Sequence, residues 1–251
     1  KAVYPALTTY RGVQPTQLQP YFEALASAEP KKHVPLLLTS ENHDIVIRAL
    51  MFVAGGSLPW PYEPEYFEQP AARVKPRTDL SGSVQKLLAS SDSQIRNRAT
   101  CVYADLQGRS CQAELCELLR DRSPTVRLVA LGWLARWREE AALPQFKNFQ
   151  IEDHEADLEC ASLECAVADE LAEWKRNDTV PVLLAFLEND QFVYRQGAEI
   201  GVPAWRARKA LHAITGAWFP YDVAAARAIW QTAIAMDDAM KRKQWLAEHA
   251  D

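Results

Sequence analysis

The sequence predicts an all-α fold assembled from a repeated pair of helices. One observation is self-similarity: residues 43–55 (HDIVIRALMFVAG), 91–106 (SDSQIRNRATCVYADL) and 122–137 (RSPTVRLVALGWLARW) share a β-branched residue followed by arginine, at Ile47-Arg48, Ile95-Arg96 and Val126-Arg127. Three residues past each arginine stands Met51, Ala99 or Ala130, and small residues there let neighbouring helices approach closely. A second observation is that each stretch follows a shorter apolar one, at 33–40, 83–91 and 112–121. Val84, Leu87 and Leu88, or Leu115, Leu118 and Leu119, have the i, i+3, i+4 spacing of an amphipathic helix. The unit is therefore helix, tight turn, helix, and a recurrence of this length is the mark of a repeat architecture.

Taken in order, residues 1–32 carry Tyr4, Tyr10, Tyr21 and Phe22 among four prolines and are expected to cap the first apolar face. Repeats then occupy 33–216. Pro124 suits the first turn of the second helix of the third copy. Residues 156–174 place Leu158, Ala161, Cys165, Ala168 and Leu171 at helical spacing and stand for one divergent repeat. A last copy runs from 179–190 to 202–216, with Pro203 near the start of its second helix, Ala207, Ala210, Leu211 and Ile214 on one face, and Gly216 as its stop. Residues 217–251 form a closing cap, where Asp222 can N-cap a helix from 223 to about 247 and Ile229, Trp230, Ala233 and Met236 can cover the last repeat.

These copies resemble HEAT repeats, whose second helix commonly carries a D-x-x-V-R-x-x-A pattern. The matching positions are Asp44/Ile47/Arg48/Met51, Asp92/Ile95/Arg96/Ala99 and, less fully, Pro124/Val126/Arg127/Ala130. The resemblance covers residues 33–216, with 139–178 poorly matched. It implies a right-handed α-solenoid of about five helical pairs. It also implies that Arg48, Arg96 and Arg127 lay their stems over the core and turn their guanidinium groups to the inter-helix turn, where Asp44 and Asp92 stand. On that reading these residues are structural. Residues 210–230 are similar to an LTG, F-x-YD, W closing segment found after helical repeats in bacterial proteins, which suggests a bacterial source.

Two insertions interrupt the repeats. The segment 55–82 holds Pro59, Pro61, Pro64, Pro70 and Pro76, which block helix and favour an extended loop. It also holds Trp60, Tyr62, Tyr66 and Phe67. Those rings either fold back to cover the stack or form a stiffened patch that docks a protein partner. The second insertion, 189–202, offers Phe192, Tyr194 and Arg195 as contact residues, with Gly197 and Gly201 for sharp turns.

Composition narrows the function classes. With 28 Lys+Arg against 33 Asp+Glu and a net charge of -5, basic residues gather only around Arg73, Arg206 and Lys241, a balance that disfavours a nucleic-acid partner. No apolar run approaches the roughly 18 residues of a membrane span. Five cysteines form no C-x-x-C pair, so neither a disulfide framework nor a zinc site is expected. The acids around His154, including Asp153 and Asp157, suit the start of a helix better than a metal site. Neither a P-loop nor a nucleophile elbow is present, and no catalytic residue and no cofactor is expected. The first residue is Lys1, which fits a cloned fragment or removal of an N-terminal segment such as a signal peptide. Cytoplasmic and periplasmic locations both stay open.

The function expected is that of a non-enzymatic scaffold, adaptor or inhibitor that holds another protein through its inner face and its loop insertions. A narrower form is an immunity protein that neutralises a toxin, since an acidic surface suits a basic enzyme. The alternative is an enzyme on the same scaffold, similar to the helical-repeat DNA glycosylases. That alternative requires a basic inner surface, for which Arg98, Arg136, Arg206 and Arg208 are the few candidates.

Overall fold

The computed structural model describes residues 29–56, 58–61, 75–146, 149, 158–189, 193–195 and 198–250. Among these the chain is helical apart from one short antiparallel hairpin, as the periodicity predicts. Contacts divide the chain into two compact units, Lys1–Gln112 and Ala113–Asp251.

In the first unit, α1 (Pro30–Leu38) and α2 (His43–Val53) form one pair. Helix α3 (Ser81–Gln85), which runs on as a 3-10 turn over Lys86–Ala89, pairs with α4 (Ser93–Gln107). Pro30 opens α1, where its missing N–H costs nothing. Val34, Leu37 and Leu38 face Ile45, Val46, Ala49, Leu50 and Val53 across the first pair, and α2 packs on α4. In the second unit, α5 (Gln112–Leu118) precedes α6 (Pro124–Arg136), α7 (Leu143–Phe146) precedes α8 (Leu158–Trp174), and α9 (Val180–Phe186) precedes α10 (Pro203–Thr215). Helix α8 lies between α6 and α10, while α9 packs against α10. Leu158–Trp174 thus supplies a second helix, and Ala161, Cys165, Ala168 and Leu171 are buried as their spacing predicts.

Each second helix stops at a residue of positive φ: Gly55, Gly108, Arg138, Lys175 and Gly216. At Gly216 the backbone is left-handed and its N–H returns to the His212 carbonyl at 2.8 Å. Lacking Cβ, glycine takes that conformation without strain.

The turns inside the pairs share one design. Asn42, Asp92 and Ser123 are the N-cap residues of α2, α4 and α6. Each cap N–H donates to the side chain two residues earlier, at Ser40 Oγ, Ser90 Oγ and Asp121 Oδ1. Asn42 and Asp92 in turn accept the N–H groups of Asp44 and Ile45, and of Gln94 and Ile95. Four residues past the cap, Arg96 reaches back to the carbonyls of Ser90 at 2.9 Å and Ser91 at 3.2 Å. Arg127 does the same to Asp121 at 2.8 Å and Arg122 at 3.4 Å. The carbonyls near the end of one helix lack intrahelical partners, and the guanidinium satisfies them.

This register corrects the first copy. Asn42, rather than Asp44, matches Asp92, so the arginine position there is filled by Val46 and Arg48 stands two residues beyond it. The small residue becomes Ala49, and Ala49, Ala99 and Ala130 are all fully buried, whereas Met51 is half-buried. Asp44 is an exposed first-turn residue whose N–H the cap holds. Asp92 binds the preceding copy as well, through His43 Nδ1 at 3.1 Å from its Oδ2.

The C-terminal segment also differs from a single closing helix. It folds as α11 (Val223–Ile234) and α12 (Ala239–His249), packed on each other, with α11 also against α9. Asp222 caps α11 as expected, and Trp230 and Ala233 are buried. Asp238 caps α12 and, four residues on, Arg242 donates from Nη2 to Met236 O and from Nε to Ala233 O. The same capped and braced turn therefore recurs here, where the β-branched residue that marks it elsewhere is replaced by Lys241.

Two expected outcomes follow for the turns. Arg96→Met lowers stability by about 1.5–3 kcal/mol, the worth of charged hydrogen bonds made by a buried side chain to part-buried carbonyls. Arg127→Met costs less, because that side chain is only half-buried. Urea unfolding should show the midpoints in that order with unchanged slope. At Asp92, burial pushes the carboxyl upward, but the N–H of Ile95, the His43 imidazole and the N–H of Gln94 together hold it below the ordinary aspartate value. Its charged form therefore adds stability above the unfolded-state pKa, and this is lost as pH falls through the folded-state value. Asp92→Asn keeps a capping oxygen, so it should be less stable than the parent at neutral pH and converge with it in acid, as read by unfolding midpoints across pH.

Candidate interaction surface

The first insertion is partly placed. The chain leaves α2 through Gly55 and returns where the Arg77 N–H donates to Val53 O at 2.8 Å, closing the loop at its base. Leu58 and Trp60 are buried, Trp60 to 9% exposure, and Trp60-Pro61 is a cis peptide. Of the four aromatic candidates in this loop, Trp60 is the one among the described residues, and it is buried. Tyr62, Tyr66 and Phe67 lie outside the described residues.

The second insertion is an antiparallel hairpin, β1 (Val193–Arg195) and β2 (Ala198–Gly201), with Tyr194 opposite Glu199 and Arg195 opposite Ala198. Both strands pack on α8. Tyr194 and Arg195 are placed on β1 by backbone alone, and Phe192 lies outside the described residues. Under the hairpin stem the fully buried Glu164 of α8 accepts a hydrogen bond from Asn189 Nδ2 at 2.7 Å, and Asn189 O receives the Ala204 N–H at 2.9 Å. Asn189 therefore ties α8 to the point where the hairpin departs through its side chain and, through its backbone carbonyl, to the start of α10.

Across the layer of second helices, charges are matched. Arg136 of α6 meets Glu170 of α8 at 2.9 Å, and Arg206 of α10 meets Asp169 at 3.1 Å. Burial pushes the Glu170 carboxyl above its usual value despite Arg136. Two of the four arginines that a phosphate-binding groove would need are thus occupied by acids.

A third feature is absent from the sequence-based candidates. Helix α10 buries Ala204, Ala207, Ala210 and Leu211 and presents Trp205, Arg208 and His212 on another face, at i, i+3 and i+7. After the Gly216 turn the chain runs back over that face, with Ala217 and Phe219 in the core and Trp218 above α10. Trp218 is stacked near-parallel between Trp205, at 5.9 Å and 10°, and His212, at 4.3 Å and 20°. Seven residues of helix rise about 10.5 Å, which leaves room for one ring between two. The Arg208 guanidinium lies 5.2 Å from the Trp218 ring and 5.0 Å from that of Tyr221, and its Nε donates to Phe219 O. Trp205 and Tyr221 remain 42% and 51% exposed. The available signal was four aromatics with two arginines and a histidine within seventeen residues, 205–221. Reading 202–216 as scaffold and 217–221 as closing segment divided them.

Metal and thiol chemistry find little support in the geometry. Among the described residues no group of three or more His, Cys, Asp or Glu side chains is placed to hold a metal, and Asp153, His154 and Asp157 lie outside them. All five cysteines are unbridged, and burial pushes the Cys165 thiol up to about 12, leaving it protonated and unreactive. Among the described residues no helix is long and apolar enough to cross a membrane. Comparisons with protein-family models, curated proteins and solved structures found no match to this chain.

Asn189→Ala removes a donor from a buried carboxylate, so it should cost about 1–3 kcal/mol. Glu164→Gln keeps an acceptor for Asn189 and should cost less. Paired thermal or urea melts of the two variants check the order.

Proposed function

We propose that this chain is a non-enzymatic protein-binding scaffold. Its helical pairs stack as a HEAT-like, right-handed solenoid of about five units, and a protein partner is held by the aromatic and arginine surface of α10 with the adjoining hairpin. The recurrent capped turns and the common stops of the second helices support the repeat reading. The observation that carries the binding reading is the exposure of Trp205 and Tyr221 around Arg208 and Trp218. Burying such rings is ordinarily favourable, and Trp, Tyr and Arg are the residues that concentrate binding energy at protein interfaces. The charge-matched pairs Arg136/Glu170 and Arg206/Asp169 argue against a phosphate backbone as the ligand. An adaptor, an assembly factor and an inhibitor all fit. The form in which the chain is a bacterial immunity protein rests on its net charge of -5 and its size.

The test places a photo-crosslinking amino acid at position 205 in the source organism, with a control at the exposed Lys86. A discrete protein adduct at 205 that is absent from 86 is the expected outcome. A chain that gives no adduct at 205 under native expression overturns the reading.

A further inference from the structure

We propose that Arg208 is a pre-oriented fork for a carboxylate, and that the α10 surface takes an Asp or Glu side chain flanked by apolar or aromatic residues in a segment of the partner protein. This rests on the protein-binding reading above and names the chemistry of the partner. The Nε of Arg208 is committed to the Phe219 carbonyl, and the guanidinium carbon lies 5.2 and 5.0 Å from the ring centres of Trp218 and Tyr221. Among the described residues no acceptor takes a hydrogen bond from either Nη group, and no Asp or Glu pairs with Arg208. The edge formed by Nη1 and Nη2 therefore keeps its donors, in the geometry that receives a carboxylate in two parallel hydrogen bonds.

An arginine fixed in this way has already lost the freedom that an interface would otherwise remove on binding, so less is lost per hydrogen bond formed. The neighbouring charges set the magnitude. Arg206 is occupied by Asp169, and Lys209 is the next cation along α10. One fork suits a single carboxylate better than a phosphate, whose greater charge is met by several basic groups. Beside the fork, the exposed face of Trp205, stacked on Trp218, supplies a flat apolar surface for the residue next to the acid.

Two synthetic peptides test this on 15N-labelled full-length protein: acetyl-Phe-Glu-Phe-amide and its Gln counterpart. The expected result is saturable shifts of the Trp205 and Trp218 indole N–H signals, with the acidic peptide binding about tenfold tighter, as a charged hydrogen bond exceeds a neutral one. Arg208→Lys retains the charge without the fork and should lose most of that preference, while Lys209→Gln should keep it. Since Arg208 also packs on rings, the unliganded spectrum of each variant must match the parent's. Equal binding of the two peptides, or no saturable shift, overturns the proposal. So does displacement of the acidic peptide by inorganic phosphate of similar strength, which would make the fork a plain anion site. A crosslink at 205 that persists when the peptides show no preference leaves the scaffold reading standing and removes only the carboxylate; loss of the crosslink removes both.

Discussion

The hydrogen-bonded turn between paired helices is the constraint on which the rest of this protein depends. Two helices meeting at a tight corner leave amide donors at the start of one and carbonyl acceptors at the end of the other. A polar cap answers the donors, as Asp92 does for Gln94 and Ile95, and an arginine four residues later answers the carbonyls, as Arg96 does for Ser90 and Ser91. Because the guanidinium emerges from a long aliphatic stem, it can lie over core residues and still deliver its charge to the corner. The same solution recurs at Asp238/Arg242, and at the third corner Arg127 supplies the brace although the Ser123 side chain caps no amide. Where Val46 replaces the arginine, the first pair keeps its cap and relies on apolar packing at that position.

Once the corners are fixed, the second helices can lie side by side on small residues. Ala49 and Ala99 are buried on α2 and α4 in the first unit, and α8 is held between α6 and α10 in the second. The polar side of that second layer is closed by ion pairs that are partly exposed and so contribute modestly to stability. Their larger consequence is electrostatic, since arginines committed to Glu170 and Asp169 leave little field for a polyanion. Arg208 is different because its ring partners carry no formal charge to neutralise it. Its Nε is held by the Phe219 carbonyl, while among the described residues neither Nη group has an acceptor.

How much was legible in the sequence follows from how local each signal was. The caps and arginines of the second and third copies lie within five residues of each other, so a pattern search finds them. The first copy was misaligned by two residues because Ile47-Arg48 imitates the β-branched and arginine pair, while the true cap, Asn42, differs in type from Asp92. The last braced turn was missed because Lys241 stands where Ile or Val marks the others. Trp60 posed a choice that composition alone leaves open, and in the structure its side chain is buried. The α10 surface was hidden for another reason: its members come from a helix and from the strand-like run after Gly216, and only the reversal of the chain there brings Trp218 between Trp205 and His212.

By itself the sequence determined the helical class and the pairing of short and long helices, because both follow from periodicity within a few turns of chain; the expectation that Arg96 and Arg127 act as braces came from the resemblance to HEAT repeats. Tertiary structure alone decided that Trp60 is buried, how α8 anchors the hairpin through Glu164 and Asn189, and that Arg208, held through Nε, sits beside the exposed rings of Trp205 and Tyr221. Those outcomes depend on contacts between segments far apart in the chain, whose energies come from packing and burial that no local pattern records.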